Sequence, residues 1–148
     1  MIKNRRLYQL FAIAKNNKQS SSTTQKMAAA VTATEMYFRP LPYRIIEYIY
    51  VALLIILGRD ASSISLGISQ ISIRHYVSLE SVNQFQAFRF SMSARENIAT
   101  CCKLLDSNKW GSPEEVCKFY NGKSSPYYSM KLKQHYELIH EFEQKREV

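Results

Sequence analysis

Two glutamates stand where their neighbours would change their chemistry. Glu35 closes the small-residue run Met27-Ala-Ala-Ala-Val-Thr-Ala-Thr34, and Glu47 lies inside the apolar run Tyr43 to Leu57. Apolar surroundings disfavour a carboxylate and raise its pKa, so such a side chain keeps its proton nearer neutral pH and serves as a general acid. Between residues 63 and 71, Ser63-Ile-Ser-Leu-Gly-Ile-Ser-Gln-Ile71, hydroxyl and amide side chains alternate with apolar ones around Gly67. Ser65 and Gln70 are its candidate ligand contacts. Tyr120-Asn121, just before Gly122, is a third polar corner. His75, His135 and His140 form no triad spacing, and the chain has no Cys-x-x-Cys or His-x-x-x-His, so neither a metal nor a cofactor is expected.

These residues need elements to hold them. Met27 to Phe38 reads as a helix closing before Pro40 and Pro42. Ile45 to Leu57 is apolar on nearly every side but only 13 residues long, too short for a bilayer span, and so reads as a buried central helix ended by Gly58. Helical spacing continues over 69–77 and 82–90, and from Asn97 with Ile98, Cys101, Cys102, Leu104 and Leu105 inward. Ser112-Pro-Glu-Glu115 has the form of a capping box with proline in the first turn, opening a helix to Tyr120. Tyr127 to Lys145 makes a last helix with Tyr128, Leu132, Tyr136, Ile139 and Phe142 on its buried side.

Composition agrees with a mostly α domain. At 148 residues, 46% apolar and 22% charged, with four Gly and four Pro, the chain is ordinary globular material rich in long periodic runs. The net charge of +8 is unevenly spread. Residues 1–26 hold six of the 20 Lys and Arg and none of the 12 acids, leaving 14 cations against 12 acids elsewhere. The expected division is a basic, flexible arm over 1–26, its polar end acting as a linker, followed by one helical domain over 27–148. The arm's Leu7 to Ala14 run is short, interrupted by Gln9 and closed by Lys15, so no clear signal peptide is read. Cys101, Cys102 and Cys117 are read as reduced core residues.

The ordered set Ala28–Glu35, Ser65-Leu-Gly-Ile-Ser-Gln-Ile71, Asn97-Ile98, Phe119-Tyr-Asn-Gly122 and Tyr127-Tyr128 resembles lytic transglycosylases and related lysozyme-like enzymes, over roughly residues 27–142. The resemblance implies a lysozyme-like helical domain and cleavage of the glycan strands of peptidoglycan, in the periplasm or cell envelope. It gives Glu35 the role of catalytic acid, with Glu47, Ser65, Gln70, Tyr120 and Asn121 around the sugar. In that chemistry one Glu protonates the departing oxygen and then acts as base while the sugar's own hydroxyl attacks, so no second carboxylate is required. The sequence departs from the pattern in having Met36 after Glu35 and an extra helical segment, 36–57, before Gly67. The Glu35 carboxyl is expected to open, half exposed, into the groove, with Glu47 as a buried brace.

Two other functions fit the same residues. Leu66-Gly-Ile-Ser69 with Gln70 to Tyr76 has the spacing of a helix-turn-helix, Arg74 and His75 facing DNA, although the body is nearly neutral. A lysozyme-like protein that binds without cleaving is the other.

Overall fold

The spine of the molecule is a helix of small side chains. In the computed structural model, which describes residues 2–110, 112–121 and 125–147, α2 spans Ser22–Phe38. Ser21 caps it, its hydroxyl accepting from the Thr24 N–H at 3.1 Å. Met27 to Val31 are wholly buried, because a run of alanines lets neighbouring helices approach from several sides. Those neighbours are α1 (Ile2–Lys15), α6 (Ala94–Asn108) and α8 (Pro126–Glu147). The remaining described elements are α3 (Leu41–Ile56), β1 (Ser65–Leu66), β2 (Ile71–Ser72), α4 (Ile73–Glu80), α5 (Gln84–Met92) and α7 (Pro113–Asn121). The chain is mostly α, with one small hairpin.

The basic N-terminal segment is not a flexible arm. Leu7, Leu10, Phe11 and Ala14 recur at i, i+3, i+4 and i+7, and all four are buried in the common core as one face of α1. Tyr8 stacks on Phe142 of α8 with centroids 3.8 Å apart, and Glu143 pairs with both Lys15 and Lys26 at 3.1 Å. The polar run 15–26 is likewise a structured corner. Gln25 Nε2 donates to the carbonyls of Asn17 and Ser20, while Ser20 and Thr24 donate to Asp106 of α6, each at 2.6 Å.

The buried central helix is α2, not the 45–57 run. In α3 only Arg44 and Val51 are buried, whereas Tyr43, Ile46, Ile49, Tyr50, Leu53 and Ile56 are exposed, Ile56 by 78%. The reason is the shape of its contact: α3 leans chiefly on α5 and β1, and one narrow face cannot cover a helix that is apolar all round. Tyr48 anchors that face, packing edge-on against Phe88 and donating to the Ser91 carbonyl at 2.7 Å.

Elsewhere the local signals hold. α2 ends at Phe38 ahead of Pro40. Ile98, Cys101, Cys102, Leu104 and Leu105 are buried on α6, all three cysteines are buried thiols, and Ser112 and Glu115 exchange the two bonds of a capping box. On α8, Tyr128, Leu132 and Ile139 are buried, while Tyr136 and Phe142 are half-buried.

Candidate functional site

The site is built on a four-residue turn. β1 and β2 pair antiparallel, Ser65 opposite Ser72 and Leu66 opposite Ile71. Gly67 to Gln70 close the hairpin, with Gly67 at φ +84° and Gln70 at φ +50°. A Cβ on Gly67 would lie 1.9 Å from Asn97 Nδ2, so only glycine lets the turn lie against α6. Asn97 is the buried post that holds it. Its Oδ1 accepts from the Ser69 N–H at 2.8 Å, and its Nδ2 reaches the Leu66 carbonyl and the Tyr76 hydroxyl. On the other side, the Ser69 hydroxyl bonds Thr32 of α2 at 2.6 Å. The hairpin thus occupies the place where a helix-turn-helix would need a turn between two helices, and α4 begins only at Ile73, with Ile73 and Tyr76 facing inward.

Beside this hairpin three of the predicted site residues, Gln70, Glu47 and Glu35, are linked through Arg39. Gln70 Nε2 donates to the Gly67 carbonyl at 3.1 Å and to Glu47 Oε2 at 3.2 Å. Glu47 is ion-paired with Arg39. The Arg39 backbone N–H donates to the Glu35 carbonyl at 2.9 Å, and Glu35 Oε1 accepts from the Tyr128 hydroxyl at 2.6 Å. Because the Glu47 carboxylate only accepts, the Gln70 amide is oriented with Nε2 toward it. Its Oε1 is then buried with no hydrogen-bond partner.

The two acids exchange the exposures expected from sequence. Glu35 is buried at 6% exposure, while the Glu47 side chain is 24% exposed. Glu35 is the more enclosed because α8 lays Tyr128 over the end of α2, with Phe38 stacked on the Tyr128 ring. Burial pushes the Glu35 carboxyl above its ordinary value of 4.5, opposed by the Tyr128 hydrogen bond and by Arg39 and Arg44, and reinforced by Glu47.

Arg44 is the least expected member of the group. At 7% exposure it faces inward from α3, and its Nε and Nη2 are buried without a hydrogen-bond partner. Burial pulls the guanidinium below its ordinary value, while Glu35 and Glu47 draw it back up. Arg44 stands three residues before Glu47 on α3, yet Arg39 takes that carboxylate. Asn97 and Tyr128 stand in the sequence as members of helices and of the Asn97-Ile98 and Tyr127-Tyr128 pairs, with no site role assigned; nothing local distinguishes a buried post or a carboxyl cover from core packing.

Ser65 is half-buried in β1, on the same hairpin as Gln70. Tyr120 and Asn121 end α7, and their side chains lie outside the described residues. Among the described residues no group of three or more His, Cys, Asp or Glu could hold a metal.

No protein-family model, characterised protein or solved structure matches this chain.

Proposed function

We propose that this chain cleaves the glycan strands of peptidoglycan with Glu35 as its single general acid, on a lysozyme-like helical domain. The observation that carries the reading is a carboxyl held at a fixed point beside a polar, glycine-dependent hairpin, its pKa raised by burial. A raised pKa favours the protonated Glu35 that donation to the glycosidic oxygen needs. As the bond to the leaving sugar breaks, the ring carbon takes on positive character. The substrate's own hydroxyl attacks that carbon and gives its proton to the Glu35 carboxylate, which restores the acid and leaves an anhydro end.

In this reading Glu47 is not a nucleophile. Its ion pair with Arg39 and its bond from Gln70 make it the brace that sets the Gln70 amide. Gln70 Oε1, an acceptor without a partner, is suited to a sugar hydroxyl or acetamido N–H. Ser65, Tyr120 and Asn121 complete the proposed sugar contacts.

One observation favours a lysozyme-like protein that binds glycan without cleaving it: Glu35 is only 6% exposed, beneath Tyr128. The discriminating experiment is turnover on purified peptidoglycan by the parent, Glu35→Gln and Glu47→Gln, with thermal melts in parallel. Loss of a general acid lowers the rate ~100- to 10,000-fold, so Glu35→Gln should be folded and nearly inert while Glu47→Gln keeps part of its activity. A folded parent that releases nothing but still sediments with the polymer would establish the non-catalytic reading. A dead, folded Glu47→Gln beside an active Glu35→Gln would reverse the two acids.

A further inference from the structure

α3 is inverted relative to an ordinary surface helix. At 100° per residue, Arg44, Glu47, Val51 and Leu54 fall on one side, and this side faces the protein. The opposite side carries Tyr43, Ile46, Ile49, Tyr50, Leu53 and Ile56, all more than half exposed, with no charge among them. Both charged residues of the helix are thus turned inward and its most apolar stripe outward. That arrangement is unfavourable in water and favourable against an apolar medium.

We propose that the outward face of α3 docks into the headgroup–acyl boundary of an anionic lipid bilayer, α3 lying in the membrane plane. The inference rests on the outward face of α3 and the charges around it, and stands whether or not Glu35 is catalytic. At 16 residues α3 is about 24 Å long, and no described helix is long and apolar enough to cross a membrane. A helix of this kind lies in the interface, its apolar side sunk roughly 5–10 Å. Tyr43 and Tyr50 supply the amphipathic rings favoured at that depth.

Charge selects a bilayer over a second copy of the chain. Arg39, ion-paired with Glu47, precedes the N-terminal end of α3, and exposed Arg59, followed by exposed Asp60, lies past its C-terminal end. Arg6 and Lys131 flank Tyr37, four residues before α3, with Lys131 Nζ 4.8 Å from the ring centroid. An anionic surface complements this rim. Two copies related by a two-fold axis with parallel helices would set Arg39 beside Arg39 and Arg59 beside Arg59. One helix face also falls short of the ~20–30 residues a side that a standard protein–protein interface engages.

The test is flotation of the full chain with vesicles of phosphatidylcholine alone and of phosphatidylcholine with one-third phosphatidylglycerol. The expected result is binding to the anionic vesicles, weakened by salt, with at most traces on the neutral ones. Ile46→Ser with Leu53→Ser, both outward, should lower the partition coefficient at least ~10-fold while leaving the thermal melt in place. Arg59→Glu should lower it without touching the apolar stripe. Should the serine pair melt early, Ile49→Asn alone carries the same comparison. Absence of binding to either vesicle overturns the proposal, as does equal binding to both. A dimer in light scattering that the serine pair converts to monomer also overturns it, and names a second copy as the occupant.

Discussion

The Tyr128 hydroxyl donates a 2.6 Å hydrogen bond to Glu35 Oε1, closing α8 over α2 across 93 residues of sequence. This bond opposes the effect of burial on the same carboxyl, since it favours the anion. Tyr128→Phe should therefore raise the Glu35 pKa further. Carboxyl-carbon chemical shifts followed against pH in Glu-labelled protein would show it, and a lowered pKa would show that Tyr128 does not act on this group.

Glu35 also ties stability to pH. A carboxyl whose folded pKa exceeds its unfolded value binds its proton more tightly when folded. Its contribution is complete below the unfolded value and is lost as pH rises through the folded one. From the ordinary value of 4.5 upward, the parent should lose stability relative to Glu35→Gln. Melting temperatures of the pair, measured at matched ionic strength, should diverge through that window and run parallel above it.

Gly67 and Gly58 both have positive φ, at +84° and +65°, but only Gly67 faces atoms, with Asn97 Nδ2 at 1.9 Å from a built Cβ. Gly58→Ala should cost about 1 kcal/mol for the backbone alone. Gly67→Ala should cost more than about 3 kcal/mol, because Asn97 must also move. Urea unfolding of the two variants gives the comparison, and equal losses would mean that the hairpin does not rest on α6.

Asn97 satisfies the buried Ser69 N–H at 2.8 Å. Asn97→Leu leaves that donor without a partner, and the expected loss is about 1–3 kcal/mol. Backbone amide exchange at Ser69 should speed up more than the global loss requires. Unchanged protection there would show another acceptor within reach.

Arg44 brings a buried guanidinium with two unpartnered nitrogens into the site. Arg44→Met keeps the side-chain length and removes that desolvated charge, so stability should be unchanged or higher by up to ~4 kcal/mol. The Glu35 pKa should rise, because Arg44 favours the anion. A loss of several kcal/mol would mark Arg44 as one half of a buried pair.

Local chemistry written in the sequence was enough for much of the chain. The prolines after Arg39 end α2, Ser112 and Glu115 build the start of α7, and the Ile98–Leu105 stripe of α6 faces inward as its spacing requires. Each of these depends on residues within a few positions of one another. Tertiary structure decided what depends on a distant partner. The Leu7-Leu10-Phe11-Ala14 stripe joins the core because α2, α6 and α8 leave room for it, although its cations read as an arm. Glu35 is the enclosed acid because Tyr128 arrives from α8, and Glu47 the more open one because Arg39 and Gln70 hold it at the edge. An all-apolar helix carries no mark of which side will be covered, so the outward turn of α3 is set by how little surface α5 and β1 offer it.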